Sequence, residues 1–165
     1  MARVSDDELL QLAHTLGQKL HARGWVLASA ESCTGGWVAQ VVTAIPGSSA
    51  WFDRGFVTYS NQAKEDMLGV NPATLEAYGA VSEETVREMA RGALARSQAH
   101  ISVALSGIAG PGGGLPRKPV GTVCIGWATV DGEPLSTTCR LSGDREEIRS
   151  RAVAAALRGL IELID

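Results

Sequence analysis

The sequence predicts an α/β fold, a single layered domain in which a mixed β-sheet is flanked by helices. Short apolar runs typical of buried strands alternate with segments of helical periodicity early in the chain. Later, Asp131-Gly132 separates two further apolar runs, which predicts a hairpin and therefore antiparallel pairing in the sheet. The 165 residues are 45% apolar, so we expect residues 1–165 to form one domain with a sizeable core.

The first helix is predicted from Ser5 and Glu8, which have the spacing of a capping box, and it should end near Arg23-Gly24. A capped helix this close to Met1 leads us to expect that no domain is missing upstream. The next elements follow in order: a strand over 25–30, a helix over 37–45, a strand over 50–59, helices over 61–68 and 72–78, and a helix starting at Ser82.

The second half of the chain predicts mostly strands. A short strand over 101–105 runs into a glycine-rich loop, and strands over 120–130 and 135–141 flank the hairpin turn. Asp144 and Glu147 have the spacing of a second capping box, which predicts a terminal helix. The pattern contains no internal repeat and no linker.

Composition and charge exclude several function classes. The net charge of −3 gives no excess of positive charge that would attract nucleic acid or an anionic membrane. No apolar run approaches the ~20 residues that a membrane span needs. Three cysteines without CxxC spacing and three scattered histidines predict neither a disulfide framework nor a metal site. We therefore expect a cytoplasmic protein that needs no metal and no cofactor.

The segment over 30–36 is the first candidate for chemistry. A strand ends, Ser32 is presented, and a helix begins after Gly35-Gly36, where backbone amides can stabilise an oxyanion or hold a phosphate. Neither a P-loop nor a GxSxG elbow is present. Plain helix capping by Ser32 or Thr34 is the alternative, and Cys33 is either a rival nucleophile or a small buried side chain.

Tyr59 and Lys64 form the second candidate. The chain has only three lysines against twelve arginines, so a lysine in this place suggests a task that arginine cannot perform. A desolvated lysine can lose its proton and act as a base, whereas arginine cannot. The alternative is a solvated surface lysine beside a strand-edge tyrosine.

Two further segments could bind a ligand. The glycine-rich loop over 106–114 could wrap a phosphate or a ring with its backbone amides, or it could be a flexible surface loop. Arg145 lies just inside the predicted terminal helix, where its guanidinium could grip phosphate, or it could be an exposed arginine beside a cap. Arg149 and Arg151 are expected on a solvated face of the same helix.

Seven segments in register resemble one family, the CinA C-terminal domain, including its stand-alone nicotinamide-nucleotide amidohydrolases. The resemblance covers essentially the whole chain in order. Its segments are AESCTGG over 30–36, PGSS over 46–49, GFVTYSN over 55–61 with Lys64, GAVS over 79–82, SGIAGP over 106–111, KPVGTV over 118–123 and SGDR over 142–145.

The resemblance implies deamidation of nicotinamide mononucleotide to nicotinate mononucleotide and ammonia by a metal-independent serine mechanism. Many members carry this domain after a larger N-terminal domain, so this chain is expected to be a stand-alone enzyme. Ser32 would be the nucleophile, with Tyr59 and Lys64 as its activators. Family likeness also leads us to expect a homodimer. Residues expected to bind the substrate are Thr34, Gly35, Gly36, Ser106, Gly107, Gly110 and Arg145.

Two other functions are compatible with the sequence. The first is a non-catalytic nucleotide-binding module linked to competence or the DNA-damage response, which would need the pocket but not Ser32 together with Lys64. The second is a cysteine hydrolase that uses Cys33. Separate substitutions of Ser32 and Cys33 distinguish the second alternative from a serine enzyme.

Overall fold

A computed structural model describes residues 2–165 as a five-stranded sheet with helices on both faces. Its elements, in chain order, are α1 (Asp6–Arg23), β1 (Leu27–Glu31), α2 (Trp37–Thr43), a 3₁₀ turn (Ser48–Ala50), β2 (Phe52–Val57), α3 (Asn61–Leu68), α4 (Pro72–Tyr78), α5 (Glu83–Ala95), β3 (Ile101–Gly107), β4 (Thr122–Thr129), β5 (Leu135–Arg140) and α6 (Arg145–Ile164). The predicted α/β class with a mixed sheet is confirmed.

The sheet has the strand order β2-β1-β3-β4-β5. β1 pairs in parallel with β2 and β3, whereas β3–β4 and β4–β5 are antiparallel. The hairpin signal at Asp131-Gly132 predicted the antiparallel pairing of β4 with β5. The chain leaves β1 toward one side of the sheet to form β2 and then crosses to the other side to form β3. A crevice therefore forms at the carboxyl end of β1, where ligands bind in open α/β sheets.

Two apolar clusters cover the two faces of the sheet. One cluster packs α1, α2 and α6 on one face, and α3, α4 and α5 pack on the other. β1 is buried along its whole length because neighbouring strands and both helical layers enclose it. Alternate residues of β1 enter different clusters, Leu27 one and Ala28 with Ala30 the other, as the two-residue period of a strand requires.

Several predicted boundaries are wrong. Residues 48–50, of which Ala50 was expected to begin a strand, form a 3₁₀ turn, and the helix expected over 37–45 ends at Thr43. Ser106 and Gly107, expected in the glycine-rich loop, are the last residues of β3. Breaker residues mark the end of a regular pattern but do not fix the last hydrogen-bonded residue.

Of the two capping boxes predicted from the sequence, one is complete and the other is not. Asp144 and Glu147 form the predicted reciprocal capping box at the start of α6. At the start of α1, Ser5 Oγ accepts from the amide of Glu8 at 3.1 Å, but the Glu8 carboxylate lies 3.4 Å from the guanidinium of Arg158 on α6. Only the first half of the expected capping box at Ser5 is therefore formed.

Candidate active site

The carboxyl ends of β1, β2 and β3 meet at one edge of the sheet because these three strands are parallel. Ser32 follows β1 directly, Tyr59 comes two residues after β2, and Ser106 is the second-to-last residue of β3. The topology thus brings together three of the segments that the sequence indicated.

The turn after β1 presents Ser32 at the base of a cavity. The Ser32 amide donates to the carbonyl oxygen of Leu105 on β3 at 3.0 Å, so the first residue of the turn continues the sheet pairing. Gly35 and Gly36 have φ angles of +60° and +102°, and the second is strained for any residue that has a side chain. Glycine therefore allows the chain to turn sharply from β1 into α2.

Glu31, the last residue of β1, fixes the start of α2. Its buried carboxylate accepts from the amides of Val38 and Ala39 at 2.9 and 3.1 Å and from the hydroxyl of Thr34 at 2.6 Å. A carboxylate at a helix N-terminus satisfies amides that the helix itself leaves unpaired. The amides of Val38 and Ala39 are consequently not free to bind an anionic ligand.

The other amides of this turn differ in their availability. The Gly35 amide donates to the carbonyl oxygen of Ser32 at 3.0 Å, whereas the amides of Thr34 and Gly36 donate to no oxygen within residues 2–165. Thr34, Gly35 and Gly36 do not line the cavity that contains Ser32. Their role in substrate binding stays a prediction.

Lys64 reaches Ser32 from α3. Ser60 caps this helix by accepting from the Ala63 amide, and Lys64 lies one turn before Leu68 on the buried face. The Lys64 side chain is only 1% exposed, which rules out the alternative of a solvated surface lysine. Its Nζ lies 3.1 Å from Ser32 Oγ and donates to the carbonyl oxygen of Thr58 at 2.9 Å.

Burial lowers the pKa of Lys64 below its ordinary value because removal from water disfavours the charged amine. Within residues 2–165, Lys64 forms no salt bridge that would restore the charge. A neutral amine that donates one N–H to Thr58 keeps a lone pair free. That lone pair can accept the Ser32 hydroxyl proton.

The cavity around this pair has a volume of about 260 Å³. It contains six of the residues indicated by the sequence, namely Ser32, Tyr59, Lys64, Ser106, Gly107 and Arg145. It is completed by Cys33, Asn61, Ala80, Val81 and Ala109. Asn61 and the 79–82 segment were among the resembling segments, but nothing in their residue types indicated a place in the site.

Tyr59 and Arg145 form the outer wall of the cavity. Arg145 donates to the Tyr59 hydroxyl at 3.3 Å and to the carbonyl oxygen of Gly110 at 2.7 Å. The Tyr59 side chain is exposed, and no hydrogen bond joins its hydroxyl to Ser32 or Lys64. Gly110 does not line the cavity itself, but its carbonyl positions the arginine that does.

Arg149 contradicts the expectation of a solvated helix face. It is half-buried and donates to the carbonyl oxygens of Cys33 and Thr34 at 3.0 and 3.2 Å, while its guanidinium lies 5.5 Å from the centre of the Trp37 ring. Arg151 is also largely covered, by Glu147 and the carbonyls of Ser142 and Ala2. The spacing of four between Arg145 and Arg149 could have indicated that both face the same site.

Cys33 is buried next to Ser32, and burial, followed by the nearby Glu31 carboxylate, raises the pKa of its thiol to about 12. A nucleophilic cysteine needs a thiolate and therefore a lowered pKa. The geometry thus favours the alternative in which Cys33 is a small buried side chain.

Residues 2–165 contain neither a cluster of metal ligands nor a helix that could span a membrane. No group of three or more His, Cys, Asp or Glu side chains in this part of the chain is placed to hold a metal ion. None of the described helices combines the length and hydropathy required to cross a membrane.

The chain is similar to known proteins over nearly its whole length. The family model for the CinA C-terminal domain matches residues 9–164. A nicotinamide-nucleotide amidohydrolase PncC of Escherichia coli is 55% identical over 157 residues, which cover 95% of each chain. A CinA-like protein of Chlorobaculum tepidum is 56% identical over 84% of this chain, but this match covers only 34% of that longer protein.

A solved structure has the same fold. The crystal structure of competence/damage inducible protein CihA from Agrobacterium tumefaciens superposes with a TM-score of 0.94 at 46% identity, covering 100% of this chain and 99% of that one. The resemblance inferred from the seven segments is confirmed. With the family match, the sequence identity and the shared fold in agreement, this chain belongs to the CinA C-terminal domain family.

Proposed function

We propose that this chain is a nicotinamide-nucleotide amidohydrolase that converts nicotinamide mononucleotide to nicotinate mononucleotide and ammonia. The 55% identity to the Escherichia coli amidohydrolase over 95% of both chains supports this substrate and reaction. The observation that carries the mechanism is the 3.1 Å contact between the buried amine of Lys64 and Ser32 Oγ. A nucleophile within hydrogen-bond reach of a base is the basic arrangement of covalent hydrolysis.

Lys64 acts as the general base in this proposal. Its neutral Nζ accepts the Ser32 hydroxyl proton while Thr58 holds one of its N–H groups, and Ser32 Oγ attacks the carboxamide carbon. The direct contact favours proton transfer without Tyr59 between the two groups. Tyr59 would instead orient the substrate together with Arg145, because their side chains are hydrogen-bonded at the cavity wall.

The tetrahedral intermediate carries a negative oxygen that needs donors. The amides of Thr34 and Gly36 are the candidates that the sequence indicated, because that of Gly35 is already paired within residues 2–165. Both amides belong to the turn that presents Ser32 and not to the lining of the cavity. When the intermediate collapses, the Lys64 ammonium gives its proton to the NH2 nitrogen, the C–N bond breaks, and this nitrogen leaves as ammonia. Water, deprotonated by the same amine, then hydrolyses the nicotinoyl ester and restores the Ser32 hydroxyl.

Arg145 is the proposed phosphate ligand. It lines the cavity near its mouth, and it has no carboxylate partner within the described residues. A guanidinium can bind phosphate through two parallel hydrogen bonds. Ser106 and Gly107 line the same cavity and would contact the pyridine nucleotide between the carboxamide and the phosphate.

We also propose that residues 1–165 form a single amidohydrolase domain that works in the cytoplasm without a metal or cofactor. Three free cysteines fit a reducing compartment. Assembly as a homodimer rests on family likeness alone, and light scattering of the purified protein tests it.

The test is ammonia release from nicotinamide mononucleotide by purified protein in the presence of EDTA. We expect release by the wild type and by Cys33→Ala, and loss of release in Ser32→Ala. Release that survives in Ser32→Ala but disappears in Cys33→Ala would establish the cysteine alternative. A folded wild type that binds the nucleotide without releasing ammonia would favour the non-catalytic binding module.

A further inference from the structure

A second cleft lies beside the catalytic cavity and shares Val81 with it. It is formed by the start of α5, strands β4 and β5, and the segment before β4, and its volume is about 370 Å³. Small-molecule sites commonly have volumes of this order. The charged side chains that line it are Glu83, Glu84, Arg87, Arg117, Lys118 and Arg140.

The cations of this cleft are unusual because most of them have no acidic partner among residues 2–165. Seven of the fifteen lysines and arginines form salt bridges, and these are Arg3, Lys19, Arg54, Arg87, Arg91, Arg151 and Arg158. Lys64, Arg145 and Arg149 serve the candidate active site. Arg23 stacks on Trp25, and Arg96 donates to the carbonyl of Leu68.

The three cations that remain, Arg117, Lys118 and Arg140, all line the second cleft. In a protein of net charge −3, lysines and arginines that bind neither an acidic side chain nor a ligand are expected to be scattered over the surface. They are not expected to gather in one cleft. Arg145, the one cation proposed to act in the catalytic cavity, has no acidic partner among the described residues and has a proposed anionic ligand. The same arrangement next to it indicates a second anion.

Backbone contacts hold these cations in place. Leu115 and Lys118 exchange two backbone hydrogen bonds of 2.8 and 3.1 Å, which close a tight turn that carries Arg117. Lys118 Nζ donates to the carbonyl oxygen of Tyr78 at 2.7 Å, and Arg140 donates to the carbonyl of Arg117 at 3.4 Å. Neutral acceptors orient Lys118 and Arg140 without cancelling their charge, and the tight turn fixes the backbone that carries Arg117. Part of the ordering cost of binding is therefore already met.

The two carboxylates do not neutralise the cleft. Glu83 accepts from the hydroxyls of Ser136 and Thr138 at 2.8 and 2.7 Å and lies 3.9 Å from Arg87. Its charge is therefore balanced by Arg87 and by hydroxyl donors. Among the described residues that line the cleft, Glu84 is the only other acid, so four cations face two carboxylates.

We propose that this cleft binds a phosphate-bearing small molecule at a site separate from the catalytic cavity. The guanidinium groups of Arg117 and Arg140 match the geometry of phosphate oxygens, and Lys118 adds a compact charge. The start of α5 supplies the positive end of a helix to the same cleft. No residue of the Ser32–Lys64 pair takes part.

Inorganic pyrophosphate is the probe, and calorimetric titration of the Arg145→Ala protein is the measurement. The Arg145→Ala background removes the cation of the catalytic cavity, so the remaining binding reports the second cleft. We expect pyrophosphate to bind this protein and the affinity to fall by about tenfold or more when Arg117→Ala and Arg140→Ala are added. Arg91→Ala, which removes a surface arginine outside the cleft, should leave the affinity unchanged.

Two results would overturn the proposal. One is the absence of pyrophosphate binding in the Arg145→Ala background, which would place all anion binding in the catalytic cavity. The other is binding that is indifferent to Arg117→Ala and Arg140→Ala. Both arginines are exposed, so thermal melting should show intact folding, and Arg117→Ala alone carries the test if the double variant melts early. Because binding is measured rather than ammonia release, the result is independent of the proposed function.

Discussion

Arg149 donates from Nε to the carbonyl oxygen of Cys33 at 3.0 Å, which ties helix α6 to the residue that follows the proposed nucleophile. A second bond reaches the carbonyl of Thr34 at 3.2 Å. Both carbonyls are thus turned toward α6. Since the carbonyl and amide of one peptide unit point in opposite directions, this restraint also sets where the amides of the turn point.

Replacement of Arg149 by alanine is therefore expected to lower kcat more than it raises KM. Loss of the two hydrogen bonds frees the turn, and a fall of about tenfold corresponds to about 1.4 kcal/mol of lost transition-state stabilisation. Steady-state kinetics with Arg151→Ala as the control measures the effect, because Arg151 bonds to Ser142 and Ala2 instead of the turn. Equal effects in both variants would indicate a general weakening of α6.

The pH profile should reflect the neutral amine of Lys64. Protonated Lys64 cannot accept the Ser32 proton, so kcat/KM should rise as pH increases through the pKa of Lys64. Burial lowers this pKa, so the rise in kcat/KM should be centred at a pH below about 10.4, the ordinary pKa of a lysine. A rise centred near the ordinary value would show that the amine is not desolvated in the working enzyme.

Lys64→Arg is expected to be nearly inactive although it keeps a cation. General bases contribute roughly 10²–10⁴-fold, and arginine does not lose its proton in proteins. Turnover should be compared with that of Lys64→Gln, which is neutral, and melting curves should accompany both because the site is buried. Near-normal turnover of Lys64→Arg would mean that this position supplies only positive charge.

Glu31→Gln should reduce stability and activity together. The amide group of glutamine turns a donor toward one of the partners that now donate to the carboxylate, namely the Thr34 hydroxyl and the amides of Val38 and Ala39. An unsatisfied buried group costs about 1–3 kcal/mol. Urea denaturation measures the loss, with Glu162→Gln on the last turn of α6 as an exposed-face control. An unchanged midpoint would show that α2 does not depend on this carboxylate.

Gly92→Ala should destabilise the protein despite the higher helix propensity of alanine. A Cβ at Gly92 of α5 would overlap the carbonyl oxygen of Leu68 at the end of α3. Overpacking of this kind costs about 1–3 kcal/mol, more than the gain in propensity. Thermal melting should show a lower midpoint than for Gly112→Ala, since a Cβ at Gly112 meets open space. A raised midpoint would mean that α3 and α5 can separate without cost.

Sequence patterns predicted the elements with strong local signals. The helices Asn61–Leu68 and Pro72–Tyr78 have the predicted bounds, and Asp131-Gly132 joins an antiparallel pair. The ends of strands were less predictable because pairing with a neighbour decides them. Ser106 and Gly107 join β3 because Cys124 and Val123 lie opposite them on β4.

The candidate site was predictable where a residue type was unusual for its position. Lys64 was indicated by the scarcity of lysine, and the structure places it against Ser32. Glu31 and Arg149 were missed because their partners, the start of α2 and the carbonyls of the turn, are distant in sequence or belong to the backbone. Apart from the spacing of four between Arg145 and Arg149, side-chain to backbone contacts of this kind leave no pattern of paired residue types.

Lys64 and Leu68 share the buried face of α3, so an amine lies where packing alone would favour a methyl group. The unfolded chain binds a proton at this lysine more tightly than the folded one does, and the folded state is penalised at every pH below the ordinary lysine value. Methionine at this position would avoid that penalty. A directed-evolution screen that selects for thermal stability alone is therefore expected to replace Lys64 early. The variants recovered from it should be more stable than the wild type and catalytically inactive.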